Sequence, residues 1–311
     1  MHSLLEAAVA GDVRALGKAL SVIEDGTPEL IELLTGMPET GSALLIGVTG
    51  PPGVGKSTTT GALISEYRNQ GLRVAVLAVD PSSPVTGGAL LGDRIRMQEH
   101  ALDEGVFIRS MSSRGQLGGL SSATQAAAKV LDAVGFDVII VETVGVGQSE
   151  VDVVNAVDTV VLVLAPGAGD GVQAAKAGIL EIADIYVVNK ADRDGAEGVV
   201  RELRSMIGLG SATSTSWVPE IVTTVATTGQ GLSDLVQAIT NHHEWAVASG
   251  DRAIRSVERA RLNLRRAILN SVNEHLDLSA TTVNSLSAQV ANGEISTESA
   301  VHQILRDLNN S

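Results

Sequence analysis

One eight-residue segment constrains this chain more than any other. Gly50-Pro51-Pro52-Gly53-Val54-Gly55-Lys56-Ser57 follows directly on an apolar run, Leu44–Thr49, and leads into a helical pattern starting near Thr58. It fits G-x-x-x-x-G-K-[ST] in full. Its glycines let backbone N–H groups curl around phosphates, Lys56 brings a positive charge to the outer phosphates, and Ser57 offers a hydroxyl to Mg²⁺. Such a cradle needs a strand before it and a helix after it, and both patterns are present.

The remaining chain supplies the sheet that this motif requires. Short β-rich runs alternate with longer helical patterns: 44–49, 73–79, 106–109, 138–141, 159–165, 185–188 and 221–225. Runs apolar on both faces, with crossovers long enough for helices, predict an α/β fold of the P-loop NTPase kind, with a mainly parallel sheet covered by helices. Residues 1–40 read as two short helices. Leu5, Val9, Leu16, Leu20 and Ile23 recur near helical spacing, and Ser3-Leu4-Leu5-Glu6 matches a capping box. Thr27-Pro28 offers the second start, with Gly36 and Pro38 as its end. After about Ala248 the pattern is helical only. Asp251 opens one helix, Asn292-Gly293 ends a second, and Ser296 opens a third. The expected parts are therefore 1–40, 41–248 and 249–311.

Asn189-Lys190-Ala191-Asp192 follows the run ending at Val188. A carboxylate at 192 accepts two hydrogen bonds from the N1–H and N2 amino group of guanine, a pattern adenine lacks, so the segment selects GTP and GDP. Thr224-Val225-Ala226-Thr227 ends the next run and is expected to back the base through main-chain N–H groups of Val225, Ala226 and Thr227. The chain has only five lysines, and two of them, Lys56 and Lys190, fall inside these nucleotide motifs. In Asp137-Val-Ile-Ile-Val-Glu142-Thr-Val-Gly145, Glu142 is placed to hold a Mg²⁺-bound water and the Gly145 N–H to sense a γ-phosphate, which makes the segment a switch. Asp80 and Asp93 are further carboxylates for the metal or the attacking water, with ordinary turn and cap roles as the alternative. No glutamine follows Gly145 directly, so slow intrinsic hydrolysis, completed by a partner or a moving loop, is expected.

Composition narrows the partners. With 22 Lys and Arg against 36 Asp and Glu, the net charge of −14 argues against a nucleic-acid partner. The absence of cysteine excludes thiol nucleophiles, disulfides and thiolate zinc sites. No apolar stretch approaches the length of a membrane span and no secretory leader is visible, so the expected address is cytoplasmic. The arginines between Arg252 and Arg266 read as a solvated helix face or a subunit contact. Trp217 and Trp245 read as packing residues. Arg109 and Arg114 have two readings, loop anchors by salt bridges or arginine fingers.

Three long segments carry a resemblance. Val79-Asp80-Pro81-Ser82-Ser83-Pro84-Val85-Thr86-Gly87-Gly88-Ala89-Leu90-Leu91-Gly92-Asp93-Arg94-Ile95-Arg96-Met97, the stretch from Arg109 to Leu120, and Glu142-Thr143-Val144-Gly145-Val146-Gly147-Gln148-Ser149-Glu150 are similar to those of the MeaB/ArgK-type GTPases, chaperones of the adenosylcobalamin-dependent methylmalonyl-CoA mutase. The resemblance implies a homodimer with an N-terminal helical extension, a central GTPase domain and a C-terminal helical dimerisation arm. It also implies that GTP binding and hydrolysis gate cobalamin delivery and protect the mutase. By the same analogy Asp80, Asp93 and Glu142 belong to the Mg²⁺ and switch region, and Lys176, in a loop from Gly167 to Gly178, serves partner-stimulated hydrolysis. This loop departs from the family in lacking a glutamate and a second lysine after Asp170 and Lys176. A nickel-type metallochaperone NTPase and a small-molecule kinase are the alternatives. The first needs a His or Cys cluster, and the six histidines include one adjacent pair, which helical geometry points apart.

Overall fold

Runs of Val, Ile and Leu buried on both faces leave a strand no solvated side, so they pair side by side and are covered by helices. The computed structural model describes residues 2–25, 42–80, 100, 102–112, 119–143, 156–167, 180–209, 216–275 and 281–309. Within them seven strands form one sheet: β1 (Leu44–Thr49), β2 (Val74–Asp80), β3 (Val106–Ser112), β4 (Val138–Thr143), β5 (Thr159–Leu164), β6 (Ile185–Val188) and β7 (Glu220–Thr223). Their order is β3-β2-β4-β1-β5-β6-β7, and every pairing is parallel.

The helices in the same unit are α1 (His2–Val9), α2 (Val13–Asp25), α3 (Lys56–Asn69), α4 (Gly119–Ala133), α5 (Ala196–Leu209) and α6 (Leu232–Ser249). Alternate side chains of the strands feed opposite layers. Val138 and Ile140 of β4 pack with Leu63 and Ile64 of α3 and Leu235 and Ile239 of α6. Ile139 and Val141 pack with Val130 and Leu131 of α4 and with Leu16 and Leu20 of α2. Beyond β5 the second face is closed by Leu203 of α5 against Leu162 and Tyr186.

The N-terminal helices differ from the expectation in two respects. The pattern from Leu5 to Ile23 is broken at Gly11, whose φ of 97° is open to glycine and costly for other residues. Asp12 then starts α2 by accepting N–H bonds from Arg14 (2.8 Å) and Ala15 (3.1 Å). Ser3 lies inside α1 rather than ahead of it, so the capping box does not set this helix's start. The second expected helix, 27–38, lies outside the described residues.

The chain divides into two compact units, Met1–Ser256 and Val257–Ser311. Two helices of the second are α8 (Thr281–Ala291) and α9 (Thr297–Asn309), and α7 (Asp251–His275) runs across the dividing residue. Gly293 at φ 73° follows α8, and the Ser296 hydroxyl accepts the Ser299 N–H at 3.2 Å, as the sequence signals predict.

An acid stands immediately before β4, β5 and β6. Asp137 accepts the Arg73 N–H at 2.7 Å, next to the start of β2. Asp158 receives Arg252 Nε at 3.0 Å, and Asp184 receives Arg255 Nη2 at 2.9 Å. The first two members of the arginine run are thus bound to acids at the amino ends of the strands, a use that a charge count alone does not reveal.

Candidate nucleotide site

The cradle begins where β1 ends. Gly50 has φ 140°, and a Cβ there would stand 2.2 Å from the Val163 carbonyl oxygen of β5, so no side chain fits as the loop leaves the sheet. Gly55, at φ 100°, turns the chain into α3, and no side chain caps that helix. Backbone N–H groups at an uncapped helix start, with the positive end of the helix dipole behind them, form an anion site. Lys56 is almost fully buried, and its ammonium donates to the carbonyls of Gly50 (2.7 Å) and Pro51 (3.0 Å), folded over the loop it belongs to.

Strand order brings the acid. β1 and β4 are neighbours, with Val48 opposite Glu142, and the buried Ser57 hydroxyl donates to Glu142 Oε1 at 2.6 Å. A hydroxyl and a carboxylate converging at the carboxyl edge of a parallel sheet are hard oxygen donors of the kind that Mg²⁺ takes, so these residues fit that ion. One residue further, the Thr143 hydroxyl donates to Thr49 Oγ1 at 3.2 Å, and both are inaccessible to solvent. Asp80 closes β2 at the same edge, beside β4. Asp93, Gly145, Lys176 and Arg114 lie outside the described residues.

The base motif leaves β6 at the same edge. Asn189 links two loops. Its Nδ2 donates to the Val54 carbonyl of the cradle (2.9 Å), while its Oδ1 accepts from Thr224 Oγ1 (3.2 Å) and the Ala226 N–H (3.1 Å). Lys190 carries φ 57°, the one positive value for a non-glycine among the described residues, and its ammonium reaches the Gly53 carbonyl at 2.6 Å. This left-handed turn costs about 1–2 kcal/mol, and the Ala191 N–H bond to the Thr224 carbonyl (3.0 Å) helps hold it. Asp192 is exposed beyond the turn.

The segment 224–227 differs in detail from the expectation. The Val225 N–H donates to the Gln230 carbonyl at 3.0 Å and the Ala226 N–H to Asn189, so these two N–H groups brace the loops, leaving exposed Thr227 nearest the expected role. Three threonines escaped the sequence reading: Thr224, Thr49 and Thr143. The available signal was a hydroxyl residue closing or following a strand next to a motif.

Other residues also find their places. Arg109 points away from the cradle's strand, toward α2. It pairs with Glu24 and donates to the Gly17 carbonyl (2.9 Å) and Ser21 Oγ (3.1 Å), so it is an anchor and not an arginine finger. His242 is fully buried, with Nδ1 2.8 Å from Thr159 Oγ1 and Nε2 3.3 Å from Asp184, so the adjacent His242-His243 pair has a packing role. Trp217 meets His242 edge-on at a ring-centroid distance of 4.9 Å and Trp245 lies tilted against it at 5.8 Å, as packing residues. Among the described residues no three His, Asp or Glu side chains converge as metal ligands.

Comparison with known proteins fits this geometry. The family model described as methylmalonyl Co-A mutase-associated GTPase MeaB matches residues 16–281. A Pyrococcus horikoshii protein named as a GTPase is 47% identical over 311 residues, covering 99% of this chain and 98% of the relative. The mouse mitochondrial methylmalonic aciduria type A homolog is 38% identical over 233 residues, 74% of this chain and 56% of that protein. A crystal structure titled LAO/AO transport system kinase superposes with a TM-score of 0.74 at 28% identity, covering 99% of this chain and 97% of that one. An uncapped helix start joined through Asn189 to a guanine-reading motif, on a seven-stranded parallel sheet, is what a GTPase of this kind requires, and the chain belongs to the MeaB family of methylmalonyl-CoA mutase-associated GTPases.

Proposed function

We propose that this protein is a Mg²⁺-dependent, intrinsically slow GTPase that acts as a chaperone, gating adenosylcobalamin delivery to methylmalonyl-CoA mutase or a related acyl-CoA mutase and protecting that enzyme. The observation that carries the nucleotide reading is the pair of links from the base motif to the cradle, Asn189 Nδ2 to Val54 and Lys190 Nζ to Gly53. They set the phosphate-binding and base-reading loops at one fixed separation, as a single guanine nucleotide demands. The mutase reading rests on the family match and on the named mouse relative.

In this reading residues 50–58 hold the phosphates, Lys56 exchanges its carbonyl contacts for phosphate oxygens, and Asp192 reads guanine. Ser57 and Glu142, with Asp80 and Asp93, form the Mg²⁺ region. Bound there, Mg²⁺ neutralises developing charge on the phosphates. Water attacks the γ-phosphorus, the bond to the β,γ-bridging oxygen breaks, and GDP and phosphate leave. Gly145 senses the γ-phosphate, and Lys176 assists hydrolysis when a partner is bound. Slow intrinsic turnover follows from the missing water-positioning glutamine after Gly145.

The parts 1–40, 41–248 and 249–311 serve as extension, GTPase and dimerisation arm of a cytoplasmic homodimer. Support for the arm comes from Val257, Leu264 and Ile268 of α7, apolar at near-heptad spacing and more than half exposed. No described helix is long and apolar enough to cross a membrane.

Calorimetry with Mg²⁺ tests the nucleotide reading. GDP and a non-hydrolysable GTP analogue bind and ADP does not, whereas Asp192→Asn weakens GDP by about 100-fold because two charge-assisted hydrogen bonds are lost. Equal affinity for ADP and GDP refutes it. A pull-down with either nucleotide state that retains no acyl-CoA mutase refutes the chaperone reading alone. Phosphate recovered on arginine rather than free in solution would favour a kinase.

A further inference from the structure

The sheet has a discontinuity at the nucleotide edge. The β1–β4 ladder runs from Leu44 opposite Val138 to Val48 opposite Glu142 and stops there. The next residue of each strand is paired to its other neighbour, Thr49 with Leu162 of β5 and Thr143 with Val79 of β2. From this point the chain leaves β1 as the phosphate cradle and leaves β4 toward Gly145. The order β2-β4-β1-β5 also makes this the topological switch, because β1 is followed in sequence by a strand on one side while β4 is followed by one on the other. Two side-chain bonds span the gap. One is Ser57 to Glu142, between groups that fit Mg²⁺, and the other is Thr143 to Thr49, fully buried behind it on the α4 side of the sheet.

We propose that the Thr49–Thr143 hydroxyl pair is a positioning device for hydrolysis: it fixes the offset between the cradle and the segment following β4 while the Ser57–Glu142 bond is exchanged for metal and nucleotide. The proposal rests on the GTPase reading above. The first bond joins groups that the nucleotide site itself recruits, so it cannot also be the permanent tie. The second lies out of reach of solvent, between the last residue of each strand, one step past the end of the β1–β4 ladder. A hydroxyl pair suits this place, because it bridges two strands at the end of their ladder without the desolvation penalty of a charge. Neither threonine touches the nucleotide. Their effect is on the rate of hydrolysis and on preference for a triphosphate, not on GDP binding.

The test uses the full chain with Thr49→Val, Thr143→Val, the double valine variant, Thr49→Ser and Thr143→Ser. Single-turnover GTP hydrolysis is measured beside calorimetric affinities for GDP and for a non-hydrolysable GTP analogue. Each valine variant is expected to hydrolyse about tenfold more slowly, with the analogue-to-GDP affinity ratio reduced and GDP affinity within about twofold of the parent. The double variant is expected to match the singles, because one bond is lost in every case. Thr143→Ser keeps the hydroxyl and restores the parent rate. Valine variants with parent rate and affinity ratio overturn the proposal, as do losses that multiply in the double variant or a serine variant as slow as valine. Thermal melting of each variant separates these results from misfolding. Should a valine variant fail to fold, the serine variants at both positions and the affinity ratio decide. Failure of the parent chain to bind GDP would strike the GTPase reading first, and is visible before any variant is made.

Discussion

Asp184→Asn is the substitution whose cost the structure defines best outside the nucleotide site. The Asp184 side chain is 6% exposed and gathers four partners: the Val160 N–H (2.8 Å), both Nη atoms of Arg255 (3.1 and 2.9 Å), and His242 Nε2 (3.3 Å). Burial alone would push its carboxyl upward, but the hydrogen bonds and charges of His242 and Arg255 outweigh that and hold it below the usual carboxylate range. Asparagine retains one acceptor for Val160 and turns an amide donor toward donors. One buried donor is left without a partner and a charge-assisted pair is lost, about 3 kcal/mol together after allowing for the partial exposure of Arg255. For a unit of this size each kcal/mol moves the melting temperature by about 2–4 °C, so the shift is about 6–12 °C downward. Trp217 and Trp245 are the only tryptophans and pack against His242, so their emission follows this corner while circular dichroism follows the whole chain. A depressed carboxyl stabilises the fold above its unfolded pKa of about 3.9 and loses that contribution as pH falls through the folded value. The gap between parent and variant is therefore constant from neutral pH to about pH 5 and closes below about pH 4. A variant melting within about 2 °C of the parent at pH 7, or a gap that persists in acid, would refute the argument.

Two glycines at the cradle separate stability from binding. Gly50→Ala sets a methyl against the main-chain oxygen of Val163, which cannot move aside, and is expected to cost about 3 kcal/mol or more in urea unfolding. Gly55→Ala meets the Asn189 amide at 2.4 Å instead, a side chain that can rotate, so beyond the strain of about 1–3 kcal/mol that alanine carries at φ 100° its main effect is on binding, with GDP affinity falling by about tenfold to 100-fold as the link between loops breaks. Glu24→Ala, Arg109→Ala and the double variant, compared by denaturant melts, are expected to show a coupling of about 1–2 kcal/mol, with the double no worse than Glu24→Ala. Additive losses would mean that the ion pair does not anchor α2.

The fold was legible because a fully buried parallel strand needs an unbroken apolar run, and few other structures tolerate one. Leu44–Thr49 and Ile185–Val188 match the observed strands residue for residue. The α1–α2 break was harder, since Gly11-Asp12 interrupts a periodicity that continues on both sides, and the decisive bond is the Asp12 carboxylate to two N–H groups. In the site, residues within one motif were readable by spacing. Bonds between motifs were not, because they depend on strand order: Glu142 meets Ser57 only because β4 lies beside β1, and Thr224 meets Asn189 only because β7 lies beside β6.

The same dependence on strand order explains the acids at the opposite edge. A parallel sheet places the amino ends of all strands together, and each buried strand start has a main-chain N–H or a charged neighbour to satisfy. Asp137, Asp158 and Asp184 each stand one residue before a strand, and they bind a backbone N–H, an arginine, or both. Two of the 36 acids, Asp158 and Asp184, are therefore not solvated surface but buried acceptors paired with Arg252 and Arg255, and these pairs add nothing to the net charge of −14. The arginine run from Arg252 to Arg266 has its first two members engaged in this way. Neutralising Arg252 and Arg255 together should therefore lower the melting temperature of residues 1–256, whereas charge reversal at the exposed Arg261 should leave it unchanged. The opposite pattern would mean that the arginines serve solvent or a partner and that the strand-start acids are satisfied by other groups.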